Sequence, residues 1–208
     1  MKKTVGIIDY GLGNLHSVKN AILHLGFDAF CAKTPEEMKE ASHWILPGVG
    51  AYEDGMKGLK ASGFDLAIQE HAKEEKPILG ICLGAQLMME YSEEFGCHQG
   101  LGLIRGGVKR IPGEAPKIPH VGWQAIFPNE EISWEGTPLQ TTPKGTWVYF
   151  VHSYHAVPQQ AQNLMAVSQY GAAKIHSVVK EGKSVGMQFH PEKSGRDGLE
   201  MLKQFVAL

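Results

Sequence analysis

The sequence predicts an α/β protein with an open, mostly parallel central sheet, helices on both faces, and antiparallel additions in the C-terminal half. Residues 5–91 alternate short apolar runs, rich in β-branched residues, with stretches of helical periodicity. This alternation is the pattern of a parallel sheet with crossover helices. After residue 146 the pattern changes to short β-rich runs separated by turn residues, which indicates antiparallel strands.

In the first half, capping and turn residues mark the predicted elements. Asn14 is expected to cap the first helix and Gly26 to close it. Thr34, followed by proline and glutamate, predicts another helix start. The predicted strands are 5–9, 27–31, 44–46 and 78–81. The predicted helices are 14–25, one starting at 34, 54–74 with an interruption near Gly63, and 83–91.

In the second half, apolar runs with β propensity predict four strands and a closing helix. The proline- and glycine-rich stretch 112–122 is expected to be a loop rather than a domain boundary. With no repeat and no linker, we expect a single domain over residues 1–208. The predicted strands are 147–151, 164–169, 174–180 and 184–189, and the closing helix is 195–206.

The composition excludes several classes of function. The chain has 208 residues, of which 43% are hydrophobic and 20% charged, and its net charge is −2, so no basic excess favours nucleic acid or a membrane surface. The apolar runs are too short for a membrane span or a signal peptide. Three cysteines are a poor disulfide framework, so a cytoplasmic location is expected. One domain of this size also leaves little room for sites that catalyse two separate reactions.

The sharpest local signal is the segment 80–84, Gly-Ile-Cys-Leu-Gly, which lies between a predicted strand and a predicted helix. Glycines on both sides allow the tight turn of a nucleophile elbow. The start of the helix favours the thiolate form of Cys82, and the N–H of Leu83 is free to face an oxyanion. The alternative is a buried cysteine that only fills space, and the elbow context argues against it.

A thiol nucleophile needs a base, and the base needs an orienting group. His190 and Glu192 follow the predicted strand 184–189, so an extended backbone would place both side chains on one face. Pro191 between them stiffens the segment. The sequence therefore predicts that His190 moves the proton of Cys82 while Glu192 orients the ring.

Other motifs are weaker. The segment 47–50, Pro-Gly-Val-Gly, is either a plain turn or an anion-binding nest that contributes to an oxyanion hole. A dinucleotide fingerprint is rejected because His16 stands where the third glycine is needed. His152 and His155 are expected to point to opposite faces, and no metal-ligand spacing occurs. Neither a metal nor any other cofactor is expected.

These segments resemble the class I glutamine amidotransferases, and more narrowly the glutaminase subunits of imidazole glycerol phosphate synthases. The resemblance covers essentially the whole chain. The elbow and the His-Pro-Glu segment are shared by the whole class, whereas the other matching segments narrow the resemblance to these subunits. One departure is Ala85, where the family often has Met, and it puts little in doubt. The matching segments are DYGLGNL at 9–15, PGVG at 47–50, GICLGAQ at 80–86, PHVGW at 119–123, YFVHSY at 149–154 and HPEKS at 190–194.

The resemblance implies a role for each site residue. Cys82 would attack the side-chain amide of L-glutamine to form a glutamyl thioester, with His190 as general acid and base and Glu192 as its orienting partner. The oxyanion donors would be the backbones of Val49, Gly50 and Leu83. The glutamine would be held by Gln86, Glu94, Ser153 and Tyr154.

The resemblance also implies a partner. Ammonia would pass, within a heterodimer, to a (β/α)₈-barrel cyclase that forms imidazole glycerol phosphate and an aminoimidazole carboxamide ribotide in histidine biosynthesis. Asn14 and Lys193 match positions that face this cyclase.

Glycines flank Val49, so its peptide can rotate at small steric cost. We therefore expect an oxyanion hole that is completed only on activation.

Three alternatives remain open at this stage. The chain could feed ammonia to a different synthase of the same class. It could be a hydrolase with the same elbow, such as a cysteine peptidase or a γ-glutamyl hydrolase. It could also be a non-catalytic sheet domain, which would require the elbow, the base, the orienting group and the oxyanion turn to be coincidences.

Overall fold

The computed structural model describes residues 3–130 and 132–208. Within these ranges the chain forms thirteen strands, β1–β13 in chain order: Thr4–Ile8, Asp28–Ala32, His43–Gly48, Ile78–Cys82, Met89–Ser92, His98–Gln99, Ile104–Arg110, His120–Pro128, Thr146–His152, Tyr154–Pro158, Leu164–Tyr170, Ala173–Glu181 and Ser184–Met187. The α-helices of the same ranges, α1–α5, are Leu15–His24, Tyr52–Ser62, Phe64–Lys73, Leu83–Leu87 and Gly195–Ala207. No helix there has both the length and the apolarity needed to cross a lipid bilayer.

The central sheet has the strand order β2-β1-β3-β4-β13-β12-β11-β8-β9. Its first five strands pair in parallel, and the pairings from β13 to β9 are antiparallel. The predicted α/β class with antiparallel additions is therefore confirmed, and the antiparallel part is larger than expected. A second sheet, in the order β10-β7-β5-β6, lies beside it.

Both faces of the central sheet are covered, because β1 directs alternate side chains into two apolar clusters. Val5 and Ile7 belong to one cluster, which also receives the apolar sides of α1 and α5. Ile8 belongs to the other cluster, which receives α2 and α3. Strands that are apolar on both sides are the mark of a parallel sheet between helical layers.

Two predicted helices differ from the structure. The helix predicted over 83–91 ends at Leu87, and residues 89–92 form β5 instead. β5 pairs with β7, so hydrogen bonds to a distant segment outweigh local helix propensity. The helix predicted from Thr34 is a 3₁₀ turn, Pro35–Glu40, and the Thr34 side chain does not cap it.

The other differences are strands that were not predicted. β6, β7 and β10 belong to the second sheet, and β8 begins at His120, inside the predicted loop 112–122. β7 contains two adjacent glycines, Gly106 and Gly107, which weaken a local strand signal. β10 follows β9 after a single residue, so the sequence alone does not separate the two.

Helix α4 sits unusually close to the sheet because glycines remove the side chains between them. Gly80 of β4 is in register with Gly186 of β13, and a Cβ at Gly80 would overlap the backbone of Ala85. A Cβ at Gly84 would overlap the carbonyl oxygen of Leu46 in β3. This close approach determines where the residue before α4 is placed.

The first prediction tests this close approach. Gly84→Ala is expected to lower the free energy of unfolding by about 1–3 kcal/mol, because the methyl group meets backbone that cannot move aside. Gly113→Ala is the control, since open space surrounds a Cβ at that position, and it should change the free energy by less than about 0.5 kcal/mol. Urea denaturation measures both variants, and equal stabilities would contradict the packing argument.

Candidate active site

Cys82 ends β4 and directly precedes α4. Its backbone has φ 54° and ψ −111°, a conformation that costs a non-glycine residue about 1–3 kcal/mol. The contacts of Gly84 and Gly80 with the neighbouring backbone hold the chain in this turn. The sulfur of Cys82 therefore stands at the carboxyl edge of the parallel strands, where ligands of such sheets bind.

His190 and Glu192 reach the same edge from β13, the parallel neighbour of β4. His190 Nδ1 lies 2.8 Å from Glu192 Oε1, and the two side chains are 2% and 1% exposed. The extended backbone expected for this segment is wrong, because Pro191–Lys193 forms a 3₁₀ turn. The turn, rather than strand alternation, brings the carboxylate to the ring.

The turn is anchored to β9 by hydrogen bonds. The backbone N–H of His190 donates to the Tyr149 carbonyl at 2.9 Å. The hydroxyl of Ser194 donates to the His190 carbonyl at 2.6 Å and accepts from the backbone N–H of Tyr149 at 3.0 Å. The backbone N–H and carbonyl of His190 are thus both tied to Tyr149 of β9, the carbonyl through Ser194.

The charge state of His190 depends on its two neighbours. Burial by itself would lower the pKa of this histidine, since it penalises the charged ring. Cys82 and Glu192 act in the opposite direction through hydrogen bonding and charge, and the pKa is raised to about 9. Because Nδ1 is occupied by Glu192, Nε2 is the atom left for the sulfur, and it has no other partner in the described part of the chain.

The surroundings of the Cys82 sulfur differ from the expectation. α4 has five residues rather than the predicted nine, so its dipole is weaker than that of a longer helix. Two side chains also approach the sulfur: His190, and Gln188, whose Nε2 lies 3.8 Å from it. Gln188 was not predicted as a site residue.

A pocket of about 330 Å³ opens beside the Cys82 sulfur. Its size suits a small amino acid. His190 and Glu192 are not part of its wall. All the residues to which the resemblance assigns oxyanion or substrate contacts do line it: Val49, Gly50, Leu83, Gln86, Glu94, Ser153 and Tyr154.

The two long polar side chains of the wall are held by hydrogen bonds. Gln86 Nε2 donates to the Tyr154 carbonyl at 2.8 Å. Glu94 Oε2 accepts from the backbone N–H of Tyr52 at 2.7 Å, at the first residue of α2. A carboxylate is favoured at a helix N-terminus, so α2 orients Glu94 toward the pocket.

A buried histidine pair supports the same wall and was not predicted. His152 Nδ1 lies 2.8 Å from the Tyr154 carbonyl, and its Nε2 lies 3.1 Å from His120 Nδ1. Burial lowers the pKa of His152 to about 3 and that of His120 to about 4. Both rings are therefore neutral at pH 7, so His120 donates to His152 and His152 donates to the carbonyl of Tyr154.

The two residues expected at a partner interface lie near the His190 turn. Asn14 Oδ1 accepts from the backbone N–H of Ser17 at 3.3 Å and so caps α1, as predicted. Lys193 is exposed within the turn Pro191–Lys193. α1, which begins directly after Asn14, packs against this turn.

No group of three or more His, Cys, Asp or Glu side chains within residues 3–130 and 132–208 is placed to hold a metal ion. A thiol and backbone groups line the pocket, and the histidine–carboxylate pair lies at the same edge of the sheet, outside the pocket wall. These are the parts needed for nucleophilic attack on an amide carbonyl.

Comparison with known proteins identifies a family. The family model described as Glutamine amidotransferase class-I matches residues 6–208. The chain is 44% identical over 211 residues to Imidazole glycerol phosphate synthase subunit HisH 1 of Legionella pneumophila (strain Lens), covering 99% of each chain. It is also 44% identical over 201 residues to Imidazole glycerol phosphate synthase subunit HisH of Oceanobacillus iheyensis, covering 97% of each.

Solved structures show the same fold. A chain of PurLQS from Thermotoga maritima matches with a TM-score of 0.77 at 19% identity, covering 100% of this chain and 99% of that chain. At this identity the likeness concerns the arrangement of helices and strands.

The second prediction concerns the histidine–carboxylate pair. Glu192→Gln is expected to lower the pKa of His190 from about 9, because the carboxylate charge is lost while burial and the Cys82 sulfur remain. The stability that the raised pKa contributes is complete below about pH 6.5 and is lost as pH rises through about 9. In the variant this loss should be smaller and should occur at lower pH. NMR titration of the ring and urea denaturation from pH 6 to 10 measure both effects.

The control for this experiment is Glu53→Gln, since Glu53 is an exposed partner of Lys57 on α2. It should leave the titration of His190 unchanged. A His190 pKa that stays near 9 in Glu192→Gln would contradict the assigned cause.

Proposed function

The chain belongs to the class I glutamine amidotransferase family, and we propose that it is the glutaminase subunit of an imidazole glycerol phosphate synthase, acting as one domain over residues 1–208. It hydrolyses L-glutamine to glutamate and ammonia for histidine biosynthesis. The observation that carries the proposal is the grouping of Cys82, His190 and Glu192 at a pocket of amino-acid size. The 44% identity to subunits of this synthase over nearly the whole chain supports it.

The first half of the reaction forms a thioester. The sulfur of Cys82 attacks the side-chain amide carbon of glutamine, and the thiol proton moves to His190. The tetrahedral intermediate then loses its C–N bond, and His190 returns the proton to the leaving ammonia. Glu192 keeps the ring oriented and stabilises its positive charge.

The second half releases glutamate. A water molecule attacks the thioester carbon while His190 accepts its proton. The C–S bond breaks, the proton returns to the sulfur, and glutamate leaves the pocket. The buried position of His190 and Glu192 keeps bulk water away from this proton transfer.

The negative oxygen formed in both halves needs hydrogen-bond donors. The N–H of Leu83 begins α4, where first-turn amides have no partner within the helix. Val49 and Gly50 line the same pocket and supply the second set of donors. Gly50 has φ 108°, a conformation that glycine adopts without strain.

The turn 48–50 is held on one side only. A Cβ at Gly48 would overlap Tyr10 and Leu83, so Gly48 is packed against the elbow. Gly50 has open space around it. Rotation to complete the oxyanion hole is therefore confined to the Val49–Gly50 peptide, and a partner that stabilises the rotated form would activate hydrolysis.

The partner would be the cyclase subunit, docked on an apolar face beside the pocket. We call this face the β8–β9 face; it comprises Val121, Trp123, Trp147 and Val151, which are 38–58% exposed. The strand register places Val121 opposite Val151 and puts all four side chains on the solvent side of the sheet. Val151 also lines the pocket.

The surroundings of the β8–β9 face extend the proposed interface. β9 and α1 both pack against the turn Pro191–Lys193, so the proposed interface also takes in Asn14 and Lys193. A contiguous exposed apolar surface rimmed by polar residues is typical of a protein interface. Ammonia released at Cys82 would leave the pocket toward this partner.

The third prediction tests the nucleophile in the assembled enzyme. Cys82→Ala should reduce glutamine-dependent product formation with the cyclase by about 10³-fold or more, while formation from added ammonia persists. The control is Cys97→Ser, because Cys97 is exposed and lies outside the pocket. Glutamine hydrolysis retained in Cys82→Ala would contradict the proposal.

The wild-type chain alone should hydrolyse glutamine more slowly than the complex does, and equal rates would contradict the oxyanion rotation.

The fourth prediction tests the docking face. Trp123→Glu should raise the dissociation constant for the cyclase about tenfold or more, since a charge replaces a large apolar contact. Leu66→Glu is the matched control: Leu66 is 71% exposed, but it lies on α3. Calorimetry measures both variants, and equal affinities would place the interface elsewhere. Glutamine-dependent activity with a different synthase would instead indicate that the chain supplies ammonia to that synthase.

A further inference from the structure

Gln188 lies between the nucleophile and the pocket wall, and the mechanism above assigns it no role. It follows β13, and its side chain is 2% exposed. Its Oε1 lies 3.0 Å from Gln86 Nε2, and its own Nε2 lies 3.8 Å from the Cys82 sulfur. One buried amide therefore touches both the attacking atom and a side chain assigned to the substrate.

A backbone carbonyl determines which way the side-chain amides of Gln86 and Gln188 are turned. The carbonyl oxygen of Tyr154 can only accept, so the amide of Gln86 must direct its NH₂ group toward it. His152 donates to the same carbonyl at 2.8 Å and helps to hold it. The second hydrogen of the Gln86 NH₂ group then points at Gln188.

The orientation of Gln188 follows from that of Gln86. Its oxygen faces the Gln86 NH₂ group, so its own NH₂ group is left facing the sulfur of Cys82. Turning either amide by 180° would bring two oxygens or two NH₂ groups together, in a buried site where an unpaired polar group costs the most. The arrangement therefore has one favourable sense.

In this orientation the two hydrogen-bonded amides present an acceptor at one end, on Gln86, and a donor at the other end, on Gln188. The oxygen of Gln86 accepts no hydrogen bond from the described residues, and Gln86 lines the pocket. At the other end, the NH₂ group of Gln188 is a donor for a sulfur that carries negative charge before attack and again when the thioester breaks. The backbone N–H of Gln188 donates to the Ser177 carbonyl at 2.9 Å, which holds the residue in place.

We propose that Gln188 is a positioning residue that keeps the oxygen of Gln86 turned toward the substrate and directs its own NH₂ group at the sulfur of Cys82. The kinetic part of this inference rests on the proposed glutaminase function. The contact of Gln188 with the Cys82 sulfur can be tested without that function, because alkylation of Cys82 requires no turnover of glutamine.

The experiment compares Gln188→Met, Gln86→Met and the double variant in the complex with the cyclase. Gln188→Met should raise KM for glutamine about tenfold, the effect of one lost buried hydrogen bond. In the Gln86→Met background the same change should leave KM within about twofold, because the amide on which it acts is absent. Fully additive effects on KM would overturn the positioning role.

The conservative variant Gln188→Glu separates positioning from packing. A carboxyl oxygen accepts from Gln86 in either protonation state, so KM should stay within about twofold of the wild type. A rise in KM equal to that of Gln188→Met would overturn the inference. This variant also keeps the shape of glutamine, so it tests the inference even if Gln188→Met does not fold.

The sulfur is tested on the chain alone by iodoacetamide at pH 7, with Cys82 followed by peptide mass spectrometry. Gln188→Met should slow alkylation of Cys82 several-fold, with or without Gln86→Met. The matched control is Gln69→Met, which removes a side-chain hydrogen bond to the Leu101 carbonyl between two residues that do not line the pocket. It should change neither the KM for glutamine nor the rate of Cys82 alkylation. If wild-type enzyme hydrolyses glutamine but Gln188→Met alters neither KM nor alkylation, the inference fails. If wild-type complex does not hydrolyse glutamine, the proposed function fails and alkylation alone decides the role of Gln188.

Discussion

The strained backbone of Cys82 is the constraint on which the rest of the site depends. A positive φ at a cysteine persists only if the surrounding structure excludes the relaxed alternatives. Here the exclusion comes from α4, which the glycines at 80 and 84 allow to lie directly on β3 and β4. The same contact aims the sulfur outward and puts Gln86, one helical turn later, on the pocket side of α4.

Burial has opposite consequences for the histidines around the pocket. At His152 and His120 desolvation is the largest effect, and the pKa values of both fall. His190 is also buried, but its neighbours are the Cys82 sulfur and the Glu192 carboxylate, and its pKa rises. Histidine is thus neutral where it supports the pocket wall and charged beside Cys82 and Glu192, and the difference lies in the neighbours.

The sequence predicted the parts of this protein that local rules govern. The alternation of β1 to β4 with helices follows from apolar periodicity, and the elbow follows from two glycines around a cysteine after a strand. The second sheet was missed because its strands are short and become strands only through pairing with distant segments. For the same reason α4 is one turn long, since its expected continuation pairs with β7.

The residue types available for the chemistry, and their places along the chain, can be read from the sequence: a cysteine at an elbow, a histidine and a glutamate after a late strand, and a glycine-rich turn. How these residues meet depends on the folded arrangement. It joined Glu192 to His190 by a 3₁₀ turn rather than an extended strand. It also placed Gln188 between Cys82 and Gln86, and the pair of His120 and His152 beneath Tyr154. These contacts join residues far apart in the chain, so their geometry depends on sheet order and packing rather than on local propensity.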